Sequence, residues 1–221
     1  GYACHSTTLD GYQWSGDYPG FAQLELENRF KGTNAMFFQG GGADQNPIPR
    51  RSIHLARQYG RELAVAVERV LEEGLQPLDP ELSTAFAITE LQMEELPGKS
   101  ELEELQKTLK GHEQRWAASQ LALLAKGEKR AVSYPYPVQV WRLGKQMLFV
   151  LGGEILVDYP LQLKRIFGRD VFVMGYANDG VAYIPSEAAI RDGGYEVLGS
   201  PRVYGLAAPW KQGLQSQIIS E

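Results

Sequence analysis

An α/β fold, with mixed β-sheets flanked by helices, follows from three observations. Strand-like and helix-like segments alternate along the chain. Residues 50–74, "RRSIHLARQYGRELAVAVERVLEEG", place Ile53, Ala56, Tyr59, Leu63, Ala66, Val67 and Val70 on one face at helical spacing. Two apolar runs, "AVSYPYPVQVWRLG" and "QMLFVLGG", are separated by Gly144–Lys145 in the manner of a hairpin.

The elements follow in order. "GYACH" reads as a short buried strand. Residues 15–30, "SGDYPGFAQLELENRF", read as a helix, with Pro19 in the first turn where a missing N–H costs little. "NAMFFQG" (34–40) reads as a strand running into three glycines, and the helix of 50–74 ends at Gly74, a natural C-cap. Residues 82–96 mostly alternate and read as a strand. Ser100 with Glu103 has the form of a capping box, opening a charged helix to about Leu109. A second helical stretch, "EQRWAASQLALLAKG", precedes the hairpin. Residues 155–167 then read as a helix and 170–178 as a strand. A short extended piece carries Tyr183, and a helix begins near Ser186. There is no repeat and no low-complexity tract, and the turn at 77–80 is too short to be a linker. One unit over 1–221 is expected.

Composition narrows the function. The 221 residues suffice for a substantial core, and 43% hydrophobic with 22% charged residues is ordinary for a globular protein. A net charge of −5 carries no basic footprint, so nucleic acid is not an expected partner. No apolar run reaches the roughly 18 residues of a transmembrane helix. A single cysteine, Cys4, excludes an internal disulfide framework. The chain opens on "GYACHSTTLDG", without Met or a signal-peptide pattern, as if inside a strand, so an upstream part is expected.

Several motifs bear on chemistry. "PGKS" (97–100) ends like a phosphate loop, but Met93 stands where the first glycine is required, which leaves a turn feeding a helix. "FFQGGGADQNP" (37–47) has a backbone bare enough for a phosphate, a metal-bound substrate or a plain turn. In "MLFVLGGEILVDYP" (147–160) a carboxylate, Glu154, sits among apolar residues. Burying it alone would cost several kcal/mol. It is therefore either a cap on the following helix or a paired or metal-bound group. Of the three histidines, His54 and His112 read as surface residues, whereas His5 ends an apolar run and suits either a core position or a ligand. Tyr183 and Tyr195 flank a short helix and can fold back to one pocket, or simply fill core and rim.

Together and in this order, these pieces resemble the catalytic domain of the neutral/alkaline non-lysosomal ceramidases, zinc-dependent amidases that cut the N-acyl bond of ceramide. "ACHSTTLDG" with "SGDYPGFA" resembles the segment carrying the family's second zinc histidine. "FFQGGGADQNP" resembles a loop with a Gly-Asp-x-Ser-Pro-Asn flavour, "LGGE" the family's Pro-Gly-Glu, and "NDGVAYIPSEAAIRDGGYE" its Asn-x-x-x-x-Tyr-Ile segment.

The resemblance implies that residues 1–221 are the C-terminal part of a ceramidase-like zinc hydrolase catalytic domain, a partial domain with zinc held by His5, Glu154 and Tyr183. It implies catalytic roles for Asn46, Tyr183 and Tyr195, and a substrate wall formed by Gly41, Gly42 and Asp44. The metal would activate a water and polarise the amide carbonyl of a small-molecule or lipid substrate, with Tyr195 donating to the oxyanion. Sphingolipid metabolism and a secreted or periplasmic setting are implied with it. Two departures stand out. Family members with ceramide chemistry carry a serine where this chain has Asn46, which leaves either a hydrolase working without that nucleophile or a non-catalytic relative that binds a ligand in the old pocket. The family's first zinc histidine lies in a His-x-His-Ser-Gly-Pro segment that this sequence does not contain.

Overall fold

The computed structural model describes all residues, 1–221. A four-stranded mixed sheet forms its centre, in the order β1-β2-β3-β5. Strands β1 (Leu82–Gln92), β2 (Ser133–Leu143) and β3 (Gln146–Leu151) are antiparallel neighbours, and β5 (Phe172–Met174) lies parallel to β3. Leu143 pairs with Gln146, so Gly144–Lys145 is the two-residue turn that the sequence predicts. The α/β expectation holds.

Side chains alternate across the sheet, as strand geometry requires. Leu91, Tyr136, Val138, Phe149, Leu151 and Val173 share one face and form the core with Tyr159 and Leu163 of helix α5 (Asp158–Phe167) and Leu214 and Ile218 of α8 (Leu214–Ser220). The opposite face carries Leu82, Phe86, Ile88, Trp141 and Phe172, all exposed. Helices α3 (Lys99–Thr108) and α4 (Gly111–Ala125) bury a smaller cluster of Leu102, Trp116 and Ala117, with the Trp116 indole donating to the Leu206 carbonyl. The N-cap of α3 is Gly98 and no side chain caps it, so Ser100 and Glu103 lie inside the helix rather than in a capping box.

Helices α1 (Asp17–Arg29) and α2 (Ile53–Glu73) pack on each other. Of the face expected from the sequence, Ala56 is buried, together with Gly60 and Ala64, while Ile53, Val67 and Val70 are exposed. Small residues win because the α1 backbone comes that close. A Cβ at Gly60 would lie 2.5 Å from Phe21 Cβ and 2.8 Å from the Tyr18 carbonyl oxygen. The expected strands at 1–5 and 34–40 reduce to single bridges, Tyr2 with Gln39 and Gly40 with Met174. Residues 155–167 divide between Ile155, in a two-residue strand β4 (Glu154–Ile155), and α5. Strand β4 pairs in parallel with β6 (Tyr183–Ile184), and α6 (Glu187–Asp192) follows with Ser186 as its capping side chain. No helix is long and apolar enough to cross a membrane.

Gly60→Ala is expected to destabilise the protein by about 1–3 kcal/mol by forcing the two helices apart. Thermal unfolding should register roughly 2–4 °C per kcal/mol, with exposed Glu72→Ala as a near-neutral control.

The core phenols also predict a pH response. Burial pushes Tyr136 and Tyr159 well above the ordinary tyrosine value. The unfolded chain therefore loses these protons first, near pH ~10, and the stability they contribute is intact below that pH and falls above it. Phenolate absorbance from Tyr136 and Tyr159 should appear only together with loss of near-ultraviolet circular dichroism.

Candidate active site

Strands β3 and β5 lie side by side in parallel, and the chain leaving each of them supplies a site residue at its carboxyl end, where ligands commonly bind in α/β sheets. After β3, Gly152 and Gly153 turn the chain into β4. Gly153 has φ +63°, and a Cβ there would meet the Ala182 carbonyl oxygen at 2.6 Å and Ile184 at 2.9 Å. Only glycine lets β4 close on β6. That pairing sets Glu154 directly beside Tyr183. After β5, Tyr176 adopts φ +57°, a left-handed conformation that a tyrosine enters at a cost of about 1–3 kcal/mol.

His5 arrives on an irregular segment fastened on several sides. Its N–H donates to the Gln45 carbonyl at 2.9 Å. The Cys4 carbonyl accepts from the Tyr18 hydroxyl at 2.6 Å and from Gln39 Nε2 at 2.8 Å. Just beyond, the Thr8 and Leu9 N–H groups donate to the buried Asp17 carboxylate at 3.2 and 2.8 Å. "SGDYPGFA" thus anchors "ACHSTTLDG".

The glycine loop is the shim between this segment and β4. A side chain at Gly42 would strike the Ala3 backbone, and one at Gly41 would meet Ile155 Cδ1 at 2.7 Å and Pro160 at 2.9 Å. Ala43 N–H donates to the Ile155 carbonyl at 3.1 Å, and Asp44 Oδ1 accepts from Val157 N–H at 2.9 Å. Close approach of protein backbone accounts for the bareness of this loop. Helix α5 begins at Asp158 with Val157 as its N-cap and no capping side chain, so the reading of Glu154 as a helix cap is corrected.

Glu154 faces His5 and phenols. Tyr204 donates to its Oε1, and Tyr176 donates to its Oε2 at 3.1 Å. His5 Nε2 stands 3.8 Å from Oε2 and 3.2 Å from the Tyr183 hydroxyl, and His5 Nδ1 stands 3.2 Å from the Tyr176 hydroxyl. The His5 and Glu154 side chains are only 15% and 12% exposed. No Lys or Arg pairs with Glu154 within 4.0 Å. Tyr195 packs edge-to-face on Tyr183 at 5.8 Å. Burial, followed by the Glu154 charge, pushes the phenols of Tyr176, Tyr183 and Tyr195 upward, so they remain protonated donors. For Tyr204 the causes are burial and then its hydrogen bond to Glu154.

His5, Glu154, Tyr183 and Tyr195 come together; Asn46 does not join them. Its Oδ1 accepts from the Thr7 hydroxyl at 2.9 Å and Arg50 Nη1 at 3.2 Å. It borders a cavity of about 510 Å³ that also touches Tyr2, Cys4, Tyr18 and Tyr59, but not His5, Glu154 or Tyr183. Tyr176 and Tyr204 go unread in the sequence, and the only hint of the former is its place at the end of a strand before Asn178-Asp179.

No group of three or more His, Cys, Asp and Glu residues gathers as a metal site. The donors that do converge are an imidazole nitrogen, a carboxylate oxygen and a phenol oxygen. Zinc bonds of about 2.0–2.1 Å set neighbouring tetrahedral ligands about 3.4 Å apart. The separations of 3.2 and 3.8 Å around His5 Nε2 bracket that spacing. A mostly buried carboxylate without Lys or Arg also suits a cation. The donor set fits zinc, with a phenol in place of a third conventional ligand.

No protein-family model matches the chain, and no curated protein matches it. Solved structures do. A neutral ceramidase from Pseudomonas aeruginosa superposes with a TM-score of 0.66 at 18% identity, covering 98% of this chain and 42% of that one. A ceramidase complexed with C2 gives a TM-score of 0.65 at 16% identity, covering 98% and 43%. The chain spans about two fifths of the length of these ceramidases, and over that span it has the neutral ceramidase fold.

Proposed function

We propose that this chain belongs to a zinc-dependent hydrolase of the ceramidase type, cleaving the N-acyl amide bond of ceramide or a related amide. The observation that carries this reading is the meeting of His5 Nε2, Glu154 Oε2 and the Tyr183 hydroxyl within 3.2 and 3.8 Å, on a ceramidase-like fold. Zinc held by these three groups would supply carbonyl polarisation and a more acidic water. The chain's own residues do the rest. Glu154 is oriented through both oxygens by Tyr176 and Tyr204. Tyr195 is 53% exposed, and its hydroxyl, unused by other protein groups, can donate to an oxyanion developing beside Tyr183. Gly41, Gly42 and Asp44 act by holding the His5 segment and β4 in register. A secreted or periplasmic setting accompanies the reading.

One observation favours a second reading, a relative that binds its ligand without turnover. Asn46 stands where the ceramidase loop carries serine, cannot act as a nucleophile, and turns its amide oxygen to Thr7 and Arg50.

Elemental analysis of the parent and Glu154→Ala should find near-stoichiometric zinc in the first and little in the second. Equal zinc in both, or none in the parent, contradicts the metal assignment. In a screen of N-acyl amides, the hydrolase reading expects turnover by the parent that falls at least ~100-fold in Tyr195→Phe, the scale of losing one oxyanion donor. Zinc without turnover, including in Asn46→Ser, favours the binding reading.

A further inference from the structure

We infer that Tyr176 is a positioning residue that holds His5 in its Nδ1–H tautomer, leaving the Nε2 lone pair directed at the point shared by Glu154 and Tyr183. The argument is a count of protons. The Tyr176 hydroxyl lies 3.1 Å from Glu154 Oε2 and 3.2 Å from His5 Nδ1, and it has one proton for two contacts. A carboxylate oxygen can only accept, and the charge-assisted bond to it is the stronger of the two. The phenol proton therefore goes to Glu154. Toward His5 the phenol oxygen can only accept, so Nδ1 carries the hydrogen. A neutral imidazole protonated at Nδ1 is bare at Nε2. Nε2 then accepts from the Tyr183 hydroxyl at 3.2 Å, a phenol on which Glu154 acts first through its charge and only after that through a hydrogen bond.

The backbone points the same way. Tyr176 occupies φ +57°, and its N–H is tied to the Gly153 carbonyl at 2.9 Å. That strained conformation sets the hydroxyl between the two elements that carry His5 and Glu154. Tyr204 provides the contrast. It donates to the other oxygen of Glu154 and makes no hydrogen bond to His5. Two phenols therefore serve one carboxylate, but only one of them reads the imidazole.

The tautomer assignment stands on the hydrogen bonds alone; its consequence for metal affinity rests on the zinc reading above. The test is nitrogen-15 NMR of the histidine rings in the metal-free protein at about pH 8.5, where an ordinary imidazole is neutral. With His5, His54 and His112 the only histidines, and the last two exposed, assignment by single substitution is direct. The parent and Tyr204→Phe are expected to show His5 protonated at Nδ1 and bare at Nε2. Tyr176→Phe keeps the ring but removes the acceptor, so His5 should shift toward the Nε2–H form, which can turn its hydrogen to Glu154. A parent His5 protonated at Nε2 overturns the inference without any variant, and so does an unchanged tautomer in Tyr176→Phe. Zinc titration calorimetry on the same proteins should show a roughly 10–100-fold loss of affinity in Tyr176→Phe, the usual scale for partners that orient a ligand. The expected tautomers in a protein that takes up no zinc would support the inference and overturn the zinc reading. Zinc affinity equal in parent and Tyr176→Phe would overturn the positioning role.

Discussion

Glu154 is the group the surrounding structure answers to. A carboxylate 12% exposed cannot stand without partners, and no Lys or Arg supplies one. Its partners are two phenols that donate to its two oxygens, with His5 just beyond hydrogen-bonding reach. Each reaches the carboxylate from a different part of the chain. Tyr176 follows β5, Tyr204 follows the short helix α7 (Ser200–Val203), and His5 comes from the first residues. Most of the irregular structure at this end of the sheet exists to bring them there.

Glycine does much of that positioning, at places where backbone must touch backbone. Gly153 closes β4 on β6 and so sets Glu154 beside Tyr183. Gly41 and Gly42 let the loop slide between Ala3 and Ile155. Gly60 lets α2 settle on α1, whose first turn in turn carries Asp17 and Tyr18, the anchors of the His5 segment. A distant helix contact is thereby connected to the site through a short series of hydrogen bonds.

What the sequence discloses follows the range of the interactions. The β2–β3 hairpin is legible because a two-residue turn between two apolar runs is a local signal. Helix α2 is legible as a helix but not by its buried face, since Ala56, Gly60 and Ala64 matter only once α1 is opposite. Glu154 is legible as an anomaly, and Gly40–Gly42 as an unusual backbone, yet neither says what approaches them. Tyr176 and Tyr204 leave almost no trace, because they lie 22 and 50 residues from Glu154 and nothing periodic connects them. Residues 1–5 and 34–40 carry strand-like composition, but they are held by single bridges and side-chain bonds that composition does not record.

The central claim is that one imidazole, one carboxylate and one phenol meet at a point able to hold a metal. Zinc-edge X-ray absorption on the zinc-loaded protein tests it most directly. The account predicts a first shell of nitrogen and oxygen alone, near 2.0–2.1 Å, with the outer-shell scattering of imidazole that is lost in His5→Ala. Sulfur near 2.3 Å, from Cys4, or imidazole scattering unchanged in His5→Ala would contradict it.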